Sequence, residues 1–106
     1  MSYAIYILKC SDRTYYTGLT KDLEGRVREH EIGAHPESYT YSRRPVKLVW
    51  SIVTESYQEA FQWEHRIKSW SHAKKEALIR GDIDGIHEIV KSERKHREQN
   101  KKSISR

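Results

Sequence analysis

At 106 residues the chain is expected to form one small domain, and its one cysteine, Cys10, excludes an internal disulfide framework and a cysteine-built zinc site. Twenty Lys and Arg against 15 Asp and Glu leave a formal charge of +5, which favours an anionic partner without bearing on fold. No apolar run reaches membrane-spanning length, and Lys9 and Cys10 end the opening apolar run too soon for a secretory signal, so a reducing, cytoplasmic setting is expected.

Tyr3 to Leu8 is rich in β-branched and aromatic residues and predicts a first strand. Asp12 and Arg13 supply a turn, and Thr14 to Thr17 return as the second arm of a hairpin that Gly18 ends. Thr20 or Asp22 then caps a helix that runs to about Ile32 and stops at Gly33. The segment from Gly33 to Ser42 reads as a loop rich in Tyr, Ser and Arg. Val46 to Val53 predicts a third strand, because Leu48, Trp50 and Ile52 alternate with Lys47, Val49 and Ser51. A long helix is expected over Ser56 to Trp70 and another over Lys74 to Ile79, with Gly81 and Gly85 bracketing a break. The domain is expected to occupy residues 1–90. From Lys91 to Arg106 almost no apolar residue remains, so that stretch predicts a frayed helix or mobile charged tail.

The first helix places Leu23, Val27 and His30 on one face, with Arg26 at its margin. An arginine there is expected to point toward the hairpin, and it could equally be a side chain covering apolar surface. On the long helix Glu64 interrupts a stripe formed by Ala60, Phe61, Trp63, Ile67 and Trp70. A carboxylate in that place is costly unless it is paired, hydrogen-bonded or bound to a metal. Its spacing also allows a plain surface pair with Lys68, four residues on, and spacing alone does not decide.

Tyr39 and Tyr41 stand beside Arg43 and Arg44 in the polar loop, and such interleaving suits phosphate contact combined with base or sugar stacking. With Lys68 these four residues form the candidate nucleic-acid surface. Trp50, Trp63 and Trp70 are most simply core or flank residues. The histidines other than His30 lack tight ligand spacing and predict no histidine metal site.

In order, Ala4-Ile5-Tyr6, Tyr16-Thr17-Gly18, Arg26-Val27-Arg28-Glu29-His30, Arg43-Arg44-Pro45 and Trp63-Glu64 resemble the motifs of the GIY-YIG nuclease superfamily. The likeness is to its small standalone bacterial members and covers about Tyr3 to Ile79. Two positions depart from the pattern, Ala4 standing for the first motif's glycine and Thr17 for the second motif's isoleucine. A distal asparagine of some branches has no match, because Asn100 lies in the charged stretch.

The resemblance implies an α/β (α+β) fold in which a small three-stranded antiparallel sheet is flanked by helices. It implies a metal-dependent endonuclease acting on nucleic-acid phosphodiesters, structured or damaged DNA ahead of RNA, in a DNA-repair setting. Tyr6, Tyr16, Arg26, His30 and Glu64 match the family's catalytic positions, with Glu64 as the ligand of one Mg²⁺ or Mn²⁺. A hard cation keeps most of its waters and takes one or two carboxylates, so one glutamate suffices. Arginine offers fork geometry for non-bridging phosphate oxygens. A phenol ionises near pH 10 unless neighbouring cations lower its pKa, so such cations are part of the requirement. Tyr16 is the expected base, Tyr6 its hydrogen-bonding partner and His30 the reserve base. Two other readings stay open: a nucleic-acid-binding module without catalysis, and a protein-interaction domain that recruits its partner through the tail. A monomer is expected in each case.

Overall fold

In the computed structural model, which describes residues 1–82, the elements run β1 (Tyr3–Lys9), β2 (Tyr15–Thr20), α1 (Leu23–Ile32), a 3-10 turn (Tyr41–Arg43), β3 (Lys47–Thr54), α2 (Tyr57–Lys68) and α3 (His72–Arg80). The three strands form one antiparallel sheet of order β2-β1-β3. This is the α+β arrangement that the sequence predicts. The described residues fall into two units divided after His72. The expected domain limit at residue 90, the break at Gly85 and the charged stretch over 91–106 lie outside the described residues.

β1 is the middle strand, and Ala4, Ile5, Tyr6, Ile7 and Leu8 are all buried. Five successive buried residues mean that both faces of the strand are covered, since neighbouring side chains point to opposite faces. Tyr6 and Leu8 cluster with Cys10 and Val46, against which Tyr16 and the α1 residues Leu23 and Val27 pack. On the opposite face the ring of Tyr3 meets that of Tyr57 on α2 edge-on, with centroids 5.4 Å apart. The layers are therefore α1, sheet and α2.

β2 extends three residues further than the sequence predicts, and the reason lies in Gly18. Gly18 pairs directly with Tyr6 across the ladder, and a Cβ there would overlap the Tyr6 ring and hydroxyl. The glycine therefore allows a close approach within the strand and does not end it. Leu19 and Thr20 continue the pairing, opposite Ile5 and Ala4.

β3 pairs with the other edge of β1, and its register slips between Ile7 and Leu8, with Trp50 opposite Ile7 and Leu48 opposite Leu8. That slip breaks the predicted alternation at Val49. Leu48, Ile52 and Val53 are exposed on this edge strand. None of the three tryptophans belongs to the core. Trp50 and Trp70 are half-buried, and Trp63 is exposed with Arg66 over its ring at 5.5 Å. β1 already fills the interior, so the tryptophans flank it.

The helix ends follow capping chemistry. Asp22 accepts a hydrogen bond from Gly25 N–H at the start of α1, and Gly33 closes it with φ +70°, the left-handed conformation that glycine adopts without strain. Ser56 caps α2 through Glu59 N–H. In the second unit Gly81 (φ +72°) follows α3, and Arg80 pairs with Glu76 at 3.9 Å and Asp82 at 3.7 Å.

Candidate active site

The site begins with the packing of Tyr6. Its ring lies over Gly18, and its hydroxyl reaches His30 Nε2 at 3.0 Å. His30 sits one turn after Arg26 on the buried face of α1 and is only 5% exposed. Its second ring nitrogen, Nδ1, lies 2.7 Å from Thr40 Oγ1. Thr40 is buried in the loop between α1 and β3, and Ser38 holds it there, Oγ to Oγ1 at 3.1 Å and Oγ to the Thr40 N–H at 3.4 Å. A polar chain thus runs from the centre of the sheet to the loop.

Tyr16 completes the cluster from β2. Its ring centroid is 5.0 Å from His30, 6.2 Å from Tyr6 and 6.1 Å from Tyr39, on which it stacks. The expected hydrogen bond between the two tyrosines gives way to the Tyr6–His30 bond. The ladder sets Tyr16 opposite Leu8 and not opposite Tyr6, so the hydroxyl of Tyr6 meets the helix instead. Tyr6 is buried while Tyr16 is half-buried.

Burial, above all, pushes the Tyr6 phenol well above its ordinary range, with Tyr16 adding to that effect, Arg26 opposing it, and Glu29 and Glu64 adding to it. Burial also lowers the His30 pKa, and the positive charge of Arg26 lowers it further, so a neutral imidazole is favoured. Arg26 itself is exposed. It lines a shallow groove with Tyr3, Leu19, Thr20, Lys21, Asp22 and Tyr57, so it borders the hairpin while remaining open to solvent.

Glu64 is 7% exposed, between the buried Ala60 and Ile67 on the inner stripe of α2. Lys68 Nζ meets its Oε1 at 2.6 Å. The i,i+4 pair that the spacing allows does form, with the carboxylate buried in place of lying on the surface. Its negative charge acts on Tyr6, although no hydrogen bond joins Glu64 to either tyrosine among the described residues. No group of three or more His, Cys, Asp and Glu converges among the described residues. That donor set offers nothing to a metal requiring several nitrogen or sulfur ligands. A buried carboxylate whose charge is felt at Tyr6 does fit a hard cation that draws the rest of its shell from water and phosphate.

The loop forms an aromatic and cationic shelf beside Tyr16. Arg43 lies 3.8 Å over the Tyr39 ring and Arg44 lies 4.7 Å over Tyr41. Arg43 also donates to Asp12 at 3.0 Å and to the Tyr39 carbonyl at 2.8 Å. The Ser11 N–H donates to the Arg43 carbonyl at 2.9 Å, tying the loop to the hairpin turn. Hydrogen bonds from Thr14, together with the charge of Arg43, hold Asp12 below the usual carboxylate range. Thr40 and Ser38 carry no motif or spacing signal, and the sequence reading misses them. Only the fold brings them to His30.

The order Tyr6, Tyr16, Arg26, His30 and Glu64 on this sheet-and-helix frame defines a nuclease-superfamily module. The GIY-YIG catalytic domain family matches residues 2–77, and the chain belongs to that family. A UPF0213 protein of Syntrophus aciditrophicus is 46% identical over 76 residues, which cover 72% of this chain and 87% of that one. Another, from Natronomonas pharaonis, is 48% identical over 75 residues, 71% of this chain and 87% of its own. The solution NMR structure of the UPF0213 protein BH0048 from Bacillus halodurans superposes with a TM-score of 0.50 at 39% identity, covering 74% of this chain and 83% of that chain. The NMR structure of EF2693 from E. faecalis gives 0.55 at 29% identity, over 76% and 85%.

Proposed function

We propose that this chain hydrolyses phosphodiester bonds in structured or damaged DNA, with Tyr16 as general base and Glu64 as the ligand of one Mg²⁺ or Mn²⁺. The observation that carries this reading is the unequal setting of the two phenols. Tyr6 is buried, bonded to His30 and held protonated, whereas Tyr16 is half-open beside the Tyr39–Arg43 shelf. A base must reach its water, and Tyr16 is the phenol with that access. Acting as the phenolate, Tyr16 takes one proton from the attacking water as the water oxygen bonds to phosphorus and the bond from phosphorus to the leaving oxygen breaks. Arg26, exposed at the rim, balances charge on the non-bridging oxygens. Glu64 holds the cation, which when bound supplies Lewis-acid stabilisation of the leaving oxygen.

Tyr39, Tyr41, Arg43, Arg44 and Lys68 contact the nucleic acid in this account. Stacking and phosphate pairing by such a shelf tolerate many sequences, which suits recognition of nucleic-acid structure. The test is a cleavage panel of duplex, flap, branched and single-stranded DNA, with matched RNA, in Mg²⁺, Mn²⁺ or chelator. Metal-dependent cleavage of at least one structured DNA is expected, and Glu64→Ala should eliminate it. Binding without cleavage across the panel would favour the non-catalytic binding module instead.

A further inference from the structure

We propose that Thr40 is a positioning residue of this site: its buried hydroxyl accepts the Nδ1 proton of His30 and so fixes the tautomer whose Nε2 receives the Tyr6 hydroxyl proton. The kinetic consequence rests on the nuclease reading, whereas the tautomer is a property of the protein alone.

The argument is one of donors and acceptors. A neutral imidazole carries one N–H and one bare nitrogen. Both His30 nitrogens are engaged, Nε2 by Tyr6 at 3.0 Å and Nδ1 by Thr40 at 2.7 Å. Among the described residues, His30 is the hydrogen-bond partner recorded for the Tyr6 hydroxyl, and Tyr6 is 2% exposed. A protonated phenol in that position satisfies its O–H by donating to Nε2. The ring proton then resides on Nδ1 and is donated to Thr40 Oγ1. The Thr40 O–H turns to Ser38 Oγ at 3.1 Å, which also accepts the Thr40 N–H. The Tyr6 O–H, the His30 Nδ1–H, and the O–H and N–H of Thr40 then each have an acceptor.

The opposite order puts the proton on Nε2, facing the Tyr6 oxygen, and leaves the buried phenol proton with no acceptor among the described residues. An unmade buried donor is the costly case. Thr40, 1% exposed on a loop anchored to the hairpin through Ser11 and with its own O–H turned to Ser38, supplies the fixed acceptor that the Nδ1 proton needs once the Tyr6 O–H claims Nε2. The charged or titratable groups acting on the ring are Arg26 and Glu29 on its own helix and His35 in the following loop, with the phenols of Tyr6 and Tyr16 on the sheet side. None supplies an alternative acceptor for Nδ1. Once its proton is committed to His30, the Tyr6 oxygen keeps its lone pairs for a donor entering beside Tyr16.

Long-range ¹H–¹⁵N correlation spectra of the full-length ¹⁵N-labelled chain read the tautomer directly. His30 should show a protonated Nδ1 and a bare Nε2. Thr40→Ser should keep that pattern, and Thr40→Val should shift it toward protonated Nε2. In single-turnover cleavage Thr40→Val should be slower by roughly 10-fold to 100-fold, the size typical of an outer hydrogen bond that sets a histidine's tautomer, with DNA binding unchanged and Thr40→Ser close to native. A native His30 protonated at Nε2, or a Thr40→Val protein with an unaltered tautomer, overturns the proposal. If Thr40→Val fails to fold, the native and Thr40→Ser spectra still decide it. If the native chain cleaves nothing, the nuclease reading fails while the spectra still judge Thr40.

Discussion

The hydroxyl of Tyr6 and the Nε2 of His30 are 3.0 Å apart, and both residues are buried. This bond joins the middle strand of the sheet to the first helix and ties the candidate active site to the stability of the fold. Tyr6→Phe keeps the ring over Gly18 but leaves Nε2 without its donor. The expected cost is about 1–3 kcal/mol, the penalty for an unsatisfied buried polar group, read by urea unfolding. An unchanged midpoint would mean the bond contributes nothing to folding.

The same burial predicts a pH dependence. The folded-state pKa of His30 lies below its ordinary value of 6.5, so below that pH the unfolded chain binds the proton more readily than the folded one. The stability contribution of His30 is therefore complete above about pH 6.5 and declines as the pH falls toward the depressed folded value. Urea unfolding at a series of pH values should give a falling limb that His30→Gln flattens. Equal slopes for the two proteins would remove His30 from that role.

Most of the frame is legible in the sequence because it rests on local patterns. The aromatic and β-branched run of β1, the Asp22 and Ser56 caps and the Gly33 stop are each written within a few residues. The five candidate residues stand out in the sequence through their ordered likeness to the family motifs, and the fold brings Tyr6, Tyr16 and His30 together. What the sequence conceals is non-local. Gly18 reads as a strand end until the Tyr6 ring is seen against it. The alternation of β3 predicts one clean buried face, but the slip at Val49 and the edge position expose Leu48, Ile52 and Val53. Thr40 looks like any polar loop residue, and its bond to His30 joins positions 10 residues apart by way of a turn.

Thr17 offers a test independent of catalysis. Its hydroxyl is buried with no hydrogen-bond partner among the described residues. Thr17→Val removes the unmet group and keeps the shape, so stability should rise by about 1 kcal/mol. For a domain of this size that corresponds to a Tm increase of roughly 4–8 °C. A lower Tm would mean the hydroxyl is satisfied in solution.

The Tyr39–Arg43 shelf predicts a division of labour in binding. Arg43→Ala removes a cation and should weaken DNA binding across sequences, lowering the salt-dependence slope by about 1 if that cation pairs with one phosphate. Tyr39→Ala should weaken single-stranded binding by about 1–3 kcal/mol with little change in salt slope, because stacking releases no counterions. Fluorescence anisotropy over a range of salt concentrations separates the two. Identical salt slopes for native and Arg43→Ala would take that arginine off the phosphate backbone.

Tyr16→Phe retains the ring that stacks on Tyr39 but removes the oxygen that takes the proton. Single-turnover cleavage should fall by about 10²–10⁴-fold with binding almost unchanged. Tyr6→Phe should fall less, since it removes a supporting bond. If Tyr6→Phe is the more damaging change and Tyr16→Phe keeps near-native turnover, the base is Tyr6 or His30.

The central claim is that Glu64 makes this fold a metal-dependent nuclease, and Glu64→Gln tests it most directly. The amide keeps the size and burial of the side chain while removing the charge that pairs with Lys68. Purified native and Glu64→Gln proteins would be compared on one structured DNA substrate in Mg²⁺, with binding and cleavage measured on the same samples. The account predicts native-like binding, because affinity comes mainly from phosphate contacts, and loss of cleavage. Full cleavage by Glu64→Gln, free of contaminating nuclease, would contradict it.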